Sequence, residues 1–168
     1  SSVTIFTEQM AKTLEEYPPG GIIIFGGNIE SPDQLKELVN DIKADSRIPL
    51  FMGIDEEGGM VARIANSPGF NVKKFESMQK IGSTKDPKNA EEAGKVIGEY
   101  LRDYGFNLDF APVADVNTNP ENIVIGSRAF GDDPQLVAEM VSAGIRGLHS
   151  SKVMSCIKHF PGHGDTKD

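Results

Sequence analysis

The chain has 168 residues, 38% hydrophobic and 25% charged. That is enough for one globular domain burying roughly 70% of its unfolded surface, and it excludes a disordered tail or a fibrous repeat. The 17 Lys and Arg against 25 Asp and Glu leave a net charge of −8, a field that repels polyanions, so nucleic acid is not an expected partner. The longest apolar run, around residues 22–25, falls far short of the roughly 20 residues that cross a bilayer, and no membrane span is expected.

In chain order, an initial helix over residues 6–17 is ended by Pro18 and Pro19. A first strand at 22–25 precedes a helix over 31–44, where Ser31 is the N-cap, Pro32 takes the first helical position and Gln34 completes a capping box. Leu35, Leu38, Val39 and Ile42 form that helix's inner stripe. A second strand at 50–54 leads into a connection, 55–87, with no clear helical stripe, which reads as a long functional loop. Residues 89–104 place Ala93, Val96, Ile97, Tyr100, Leu101 and Tyr104 on one face and stop at Gly105. A third strand at 108–116 is followed by a second long connection, 117–133. Asp133-Pro134 then opens a helix with Val137, Met140, Val141, Ile145 and Leu148 inside, and a fourth strand lies at 153–157.

Four apolar runs alternating with amphipathic segments are the pattern of βα units carrying a parallel sheet, hence an α/β fold. No repeat or linker divides the chain, so residues 1–168 are read as one domain. The single cysteine, Cys156, sits inside the fourth apolar run and is expected as a buried thiol, not a nucleophile. The compartment is not encoded: cytoplasmic and secreted or cell-surface locations both remain open.

Each apolar run is followed by polar or glycine residues, and in parallel α/β folds the side chains at the carboxyl ends of strands converge on one rim. Asp55 ends the second run, where a carboxylate can accept hydrogen bonds from vicinal hydroxyls, a pattern suited to a sugar. Arg63 offers a planar fork of donors nearby, and Arg128 lies in the loop 125–131 on the same expected rim. Glu56 and Glu57 are expected as solvated surface. Asp109 is expected to be structural, and Asp115 to orient a neighbouring side chain.

The densest stretch is 158–166. Lys158 and His159 end the fourth strand and pass into a Pro-Gly loop bearing His163 and Asp165. The four-residue spacing of the two histidines would suit zinc on a helix, but Pro161 and Gly162 forbid that helix, and no metal site is expected. His149 is expected on an exposed helix side without a role. No phosphate-binding Gly-Lys-Ser/Thr loop and no G-x-S-x-G elbow occurs.

Lys158-His159-Phe160-Pro161-Gly162-His163-Gly164-Asp165-Thr166 resembles the signature of bacterial β-N-acetylglucosaminidases of glycoside hydrolase family 3. So do Gly53-Ile54-Asp55-Glu56-Glu57-Gly58-Gly59 with Val61 and Arg63, residues 107–116, and Ser127-Arg128-Ala129-Phe130-Gly131. The resemblance runs through nearly the whole chain in order. It implies a TIM-like (β/α)8 barrel of which this chain covers roughly the first half, without strand 1 and the later strands. Half a barrel leaves unpaired edges and a bare apolar interior, so exposed apolar surface is expected.

The resemblance further implies that Asp55 and Arg63 hold hydroxyls of the terminal sugar, with Arg128, Lys158 and His159 completing the substrate-binding subsite. His163, Asp165 and Asp115 then position the loop. The family's acid/base, an Asp-Ser-His dyad, follows Gly-Asp-Thr and two spacers, here Lys167 and Asp168. Its nucleophile is an Asp from a later strand. Both are expected beyond Asp168, so no catalytic residue is named within the chain.

The activity implied is retaining removal of terminal β-linked N-acetylglucosamine from cell-wall-derived or chitin-derived saccharides, with a carbohydrate as partner and no cofactor. The alternatives are a β-glucosidase or β-xylosidase of the same family, which share Lys-His but generally not its continuation, and a non-catalytic sugar-binding module.

Overall fold

The computed structural model describes residues 3–167, so Asp168, one of the two spacer positions, lies outside the described residues. The elements are α1 (Glu8–Glu16), β1 (Gly21–Ile24), α2 (Pro32–Asp45), β2 (Phe51–Ile54), β3 (Glu56–Gly58), β4 (Val61–Ala62), α3 (Met78–Gly82), α4 (Pro87–Asp103), β5 (Leu108–Asp109), α5 (Pro134–Ser150) and β6 (Met154–Ser155). The helix boundaries follow local chemistry. Ser31 Oγ accepts the Gln34 N–H at 3.3 Å while the Gln34 side chain takes the Ser31 N–H, closing the capping box in front of Pro32. Asp86 caps α4 by accepting the Lys88 N–H at 3.0 Å and Asp133 caps α5 by accepting the Leu136 N–H at 2.7 Å, each with proline at the first helical position. At the end of α4 the chain turns through Gly105 at φ 86°, a conformation that L side chains rarely adopt.

β1, β2, β5 and β6 form one parallel sheet in chain order, each strand added beside its predecessor across a helical connection. This is barrel-type winding; a doubly wound sheet would reverse its strand order. The register explains which face is covered. Ile24, Ile54 and Asp109 share a row and are all buried against the helices. The core on that side joins the α2 stripe of Leu35, Leu38, Val39 and Ile42 to Met52, Leu101 and Phe106. A second cluster joins Met78, Phe130, Val137 and Met140. Gly94 and Gly147 let α4 and α5 touch: a Cβ on Gly94 would lie 2.3 Å from the Gly144 carbonyl oxygen.

The row Ile23, Gly53, Leu108, Met154 faces the other way. On that open face Ile23 is 44% exposed, Phe51 49% and Phe25 52%. Cys156 lies there as well: strand alternation puts it on the side of Met154, opposite the buried Val153, so the thiol expected to be buried is exposed.

Two expected strands are shorter than their apolar runs. Only Leu108–Asp109 of the third joins the ladder, because Pro112 has no N–H to donate; pairing resumes as an isolated parallel bridge between Val113 and Lys158. The connection expected to lack structure contains the β3–β4 hairpin, turned by Gly58 and Gly59 at φ 89° and 66°, and the five-residue α3. A helix of that length is too short to print a stripe in the sequence. Among the described residues, no helix is long and apolar enough to cross a membrane.

Candidate functional site

The site is assembled at the carboxyl ends of β2, β5 and β6. The Val113–Lys158 bridge, with the Ala114 N–H donating to the Lys158 carbonyl at 2.7 Å, sets Lys158 beside the end of β2. Its ammonium then lies 2.6 Å from Asp55 Oδ1 and 2.6 Å from Glu57 Oε1. Arg63 Nη2 approaches the other Asp55 oxygen at 3.5 Å. Burial by itself would raise the Asp55 carboxyl, but the hydrogen bond and charge of Lys158, with the charge of Arg63, outweigh it and hold the group below the ordinary carboxylate range.

Arg128 binds Glu57, the second carboxylate that Lys158 touches. Its Nε donates to Glu57 Oε2 and its Nη2 to Glu57 Oε1, both at 2.8 Å, while Nη1 donates to the Val124 carbonyl at 3.0 Å. The Glu57 hydrogen bond and charge push the guanidinium above its already high ordinary value, so it stays cationic. Arg128 Nη2 also lies 3.2 Å from His159 Nε2. Because guanidinium only donates, Nε2 is the acceptor, and the imidazole proton sits on Nδ1, where it donates to Asp115 Oδ2 at 2.5 Å. Asp55, Glu57 and Asp115 balance Arg63, Lys158 and Arg128, so three carboxylates meet three cations around a neutral imidazole. Such a cluster matches an uncharged ligand rich in donors and acceptors better than an ion.

The 158–166 loop is pinned to the preceding rim loop. Asp115 Oδ1 accepts the His163 N–H at 2.7 Å, Thr118 Oγ1 donates to Asp165 at 2.8 Å, and Asn122 Nδ2 donates to the His163 carbonyl. Gly164 runs so close to Val116 that an added Cβ would sit 1.9 Å from its carbonyl oxygen. The His159 and His163 rings are 5.8 Å apart, edge to face. A cleft of about 540 Å³ opens here, lined by Asp115, Lys158, His159, Phe160 and Asp165 among others. Among the described residues, no three His, Cys, Asp or Glu side chains are grouped so as to hold a metal ion.

Asp55, Arg63, Arg128, Lys158, His159 and Asp115 therefore converge on one rim, and His163 and Asp165 anchor its Pro-Gly segment through backbone and hydroxyl contacts. His149 stands apart, 3.2 Å from the Ser155 hydroxyl on the exposed end of α5. Two residues expected to be solvated are buried instead. Glu57 is the hub just described, at 1% side-chain exposure. Glu56 is wholly buried and accepts the Ile64 and Ala65 N–H groups at 2.8 and 2.9 Å and the Tyr100 hydroxyl at 2.9 Å. Burial raises the Glu56 carboxyl and those donors pull against the rise. Asp109 accepts the Glu56 N–H at 2.9 Å, while its Oδ2 is buried without a partner. Burial lifts this carboxyl well above the ordinary range. No local signal marks Glu57, whose arginine is 71 residues away in the chain. Asp109, expected to be structural, shares a strand row with the buried Ile54.

The winding of the sheet and the polar rim at its strand ends define an α/β protein of the TIM-barrel type. Residues 2–168 match the glycosyl hydrolase family 3 N-terminal domain, and the chain belongs to that family. It is similar to the β-hexosaminidase A of Pseudoalteromonas piscicida, at 36% identity over 99% of this chain and 29% of that protein. A β-hexosaminidase of Methylobacillus flagellatus is 37% identical over 96% of this chain and 46% of its own length. The chain thus spans less than half of these relatives. Among solved structures, a family 3 β-N-acetylglucosaminidase from Paenibacillus sp. superposes with a TM-score of 0.92 at 35% identity, over all of this chain and 32% of that one. NagZ from Neisseria gonorrhoeae, in complex with N-trifluoroacetyl-D-glucosamine, superposes at 0.89 with 32% identity, over 99% of this chain and 50% of its own.

Proposed function

We propose that this chain carries the terminal-sugar subsite of a retaining glycoside hydrolase that removes β-linked N-acetylglucosamine from cell-wall-derived or chitin-derived saccharides. The observation that carries the reading is the charge-balanced rim in which Lys158 joins Asp55 to Glu57 beside Arg63, Arg128 and His159. The names of the relatives support the choice of sugar: β-hexosaminidases by sequence, and a β-N-acetylglucosaminidase and an N-acyl-glucosamine complex by structure.

In this reading the uncommitted lone pairs of Asp55 accept from vicinal hydroxyls, and Lys158, Arg63 and Arg128 donate to hydroxyl oxygens. His159 is held as the Nδ1 tautomer by Asp115. Fixing the pyranose through several charge-assisted bonds orients its anomeric carbon, which is the positioning share of catalysis. Holding the sugar, rather than breaking the bond, is the role assigned to these side chains.

The test compares hydrolysis of matched aryl β-N-acetylglucosaminide and aryl β-glucoside by the full-length gene product. Preference for the acetamido sugar is expected. Equal or reversed preference would move the reading to the glucosidase branch, and no hydrolysis with retained sugar binding would leave a binding module.

A further inference from the structure

We propose that Glu57 is a positioning residue of this subsite: it fixes Arg128 and Lys158 so that each presents one remaining N–H toward the substrate. The proposal rests on the sugar-subsite reading above. An arginine has five N–H donors and a lysine ammonium three. Arg128 commits two to Glu57, one to the Val124 carbonyl and one to His159 Nε2. Lys158 commits one to Asp55 and one to Glu57. One N–H is left on each cation, and its direction is set by the bonds that hold the others.

Glu57 is itself held firmly enough to serve as that reference. Its side chain is 1% exposed and both carboxylate oxygens are engaged, Oε1 by Arg128 and Lys158 together and Oε2 by Arg128. On one side, the backbone is fixed where Asp109 accepts the Glu56 N–H. On the other, Gly58 turns the chain at φ 89°. Without Glu57, Lys158 keeps only Asp55 and Arg128 only the Val124 carbonyl and His159, so more of the ordering of two long, rotamer-rich side chains falls to the sugar, and that weakens binding.

A purely architectural ion pair makes a different prediction. Losing it lowers the amount of folded protein, hence the maximal rate per total enzyme, while the surviving molecules keep their KM. A positioning carboxylate acts on ground state and transition state alike, so its loss raises KM with little change in kcat of the folded fraction.

The experiment is steady-state kinetics of the full-length gene product and its Glu57→Gln variant on aryl β-N-acetylglucosaminide, with the folded fraction measured by thermal unfolding. The expected result is a KM raised about tenfold or more with kcat within about threefold. Should Glu57→Gln fail to fold, Glu57→Asp, which keeps the charge but withdraws it by one methylene, is read in the same assay with the same expectation. An unchanged KM in whichever variant folds overturns the proposal, as does failure of both to fold, which would make the role architectural. If the unaltered protein hydrolyses no β-N-acetylglucosaminide, the functional reading fails and this proposal with it; if it is active and only the KM expectation fails, the functional reading stands.

Discussion

The Lys158 ammonium lies 2.6 Å from Asp55 Oδ1 across 103 residues of chain, and the same nitrogen touches Glu57. Among the described residues Lys158 is the one cation that bridges Asp55 and Glu57, and its removal leaves two acids near each other in a half-dry setting. Lys158→Met should lower stability by about 3 kcal/mol, the lower end of the range for breaking a buried pair, because Glu57 keeps Arg128. Adding Asp55→Asn to Lys158→Met should recover part of that loss by removing one of the stranded charges. Denaturant unfolding of the two variants checks this; equal stability of Lys158→Met and the unaltered protein would contradict it.

Much of the fold was legible because its signals are local. Ser31, Pro32 and Gln34 announce α2, and Asp133-Pro134 announces α5, through bonds made within four residues. The rim residues Asp55, Arg63, Arg128, Lys158 and His159 were legible as a set because strand ends in a parallel sheet share one edge. Their pairing was not. Whether Glu57 is solvated or clasped depends on Arg128 arriving from a distant loop, and the acidic turn reads the same either way. Cys156 was misread because an apolar run does not say which of its two faces is covered.

Glu56 collects three donors in the interior, two backbone N–H groups and the Tyr100 hydroxyl, and so ties the β3–β4 hairpin to α4. Tyr100→Phe removes one donor and leaves the other two, with an expected cost of about 1–2 kcal/mol. Glu56→Ala strands all three and should cost about 3 kcal/mol or more, enough to unfold a marginal domain. Thermal or denaturant unfolding of the two variants ranks them. A larger loss for Tyr100→Phe than for Glu56→Ala would contradict the bonding scheme.

Asp109 supplies a pH test. Burial raises its carboxyl well above the ordinary range, so the folded protein keeps a proton that the unfolded chain releases above about pH 4. The stability contributed by that group is complete below the unfolded value and is lost as pH rises through the folded one. Asp109→Asn abolishes the titration while an amide oxygen can still accept the Glu56 N–H. Relative to the unaltered protein, the variant should therefore gain stability as pH is raised from about 4 towards 8. At the acid end it should be no more stable, because an amide N–H then occupies the place of the unpartnered Oδ2. Denaturant midpoints of both proteins across this range check the sign; parallel curves would mean that Asp109 is ionised in the folded state.

The open face of the sheet makes the last prediction. Ile23, Phe25, Phe51 and Met154 are each 42–52% exposed, and the register places Ile23 and Met154 in one row with Leu108. β1 and β6 are the two edges of this sheet, so unpaired backbone groups flank the apolar face. Water contact with such a surface is unfavourable by about 25 cal/mol per Å² of apolar area, and self-association removes it. The 168-residue chain on its own should therefore sediment as oligomers or aggregates and bind a hydrophobic dye. Ile23→Lys with Met154→Glu, both on the open face and away from the helix-side core, should shift it towards the monomer. A cooperatively unfolding monomer of the unaltered chain that binds no dye would contradict the exposure of this face.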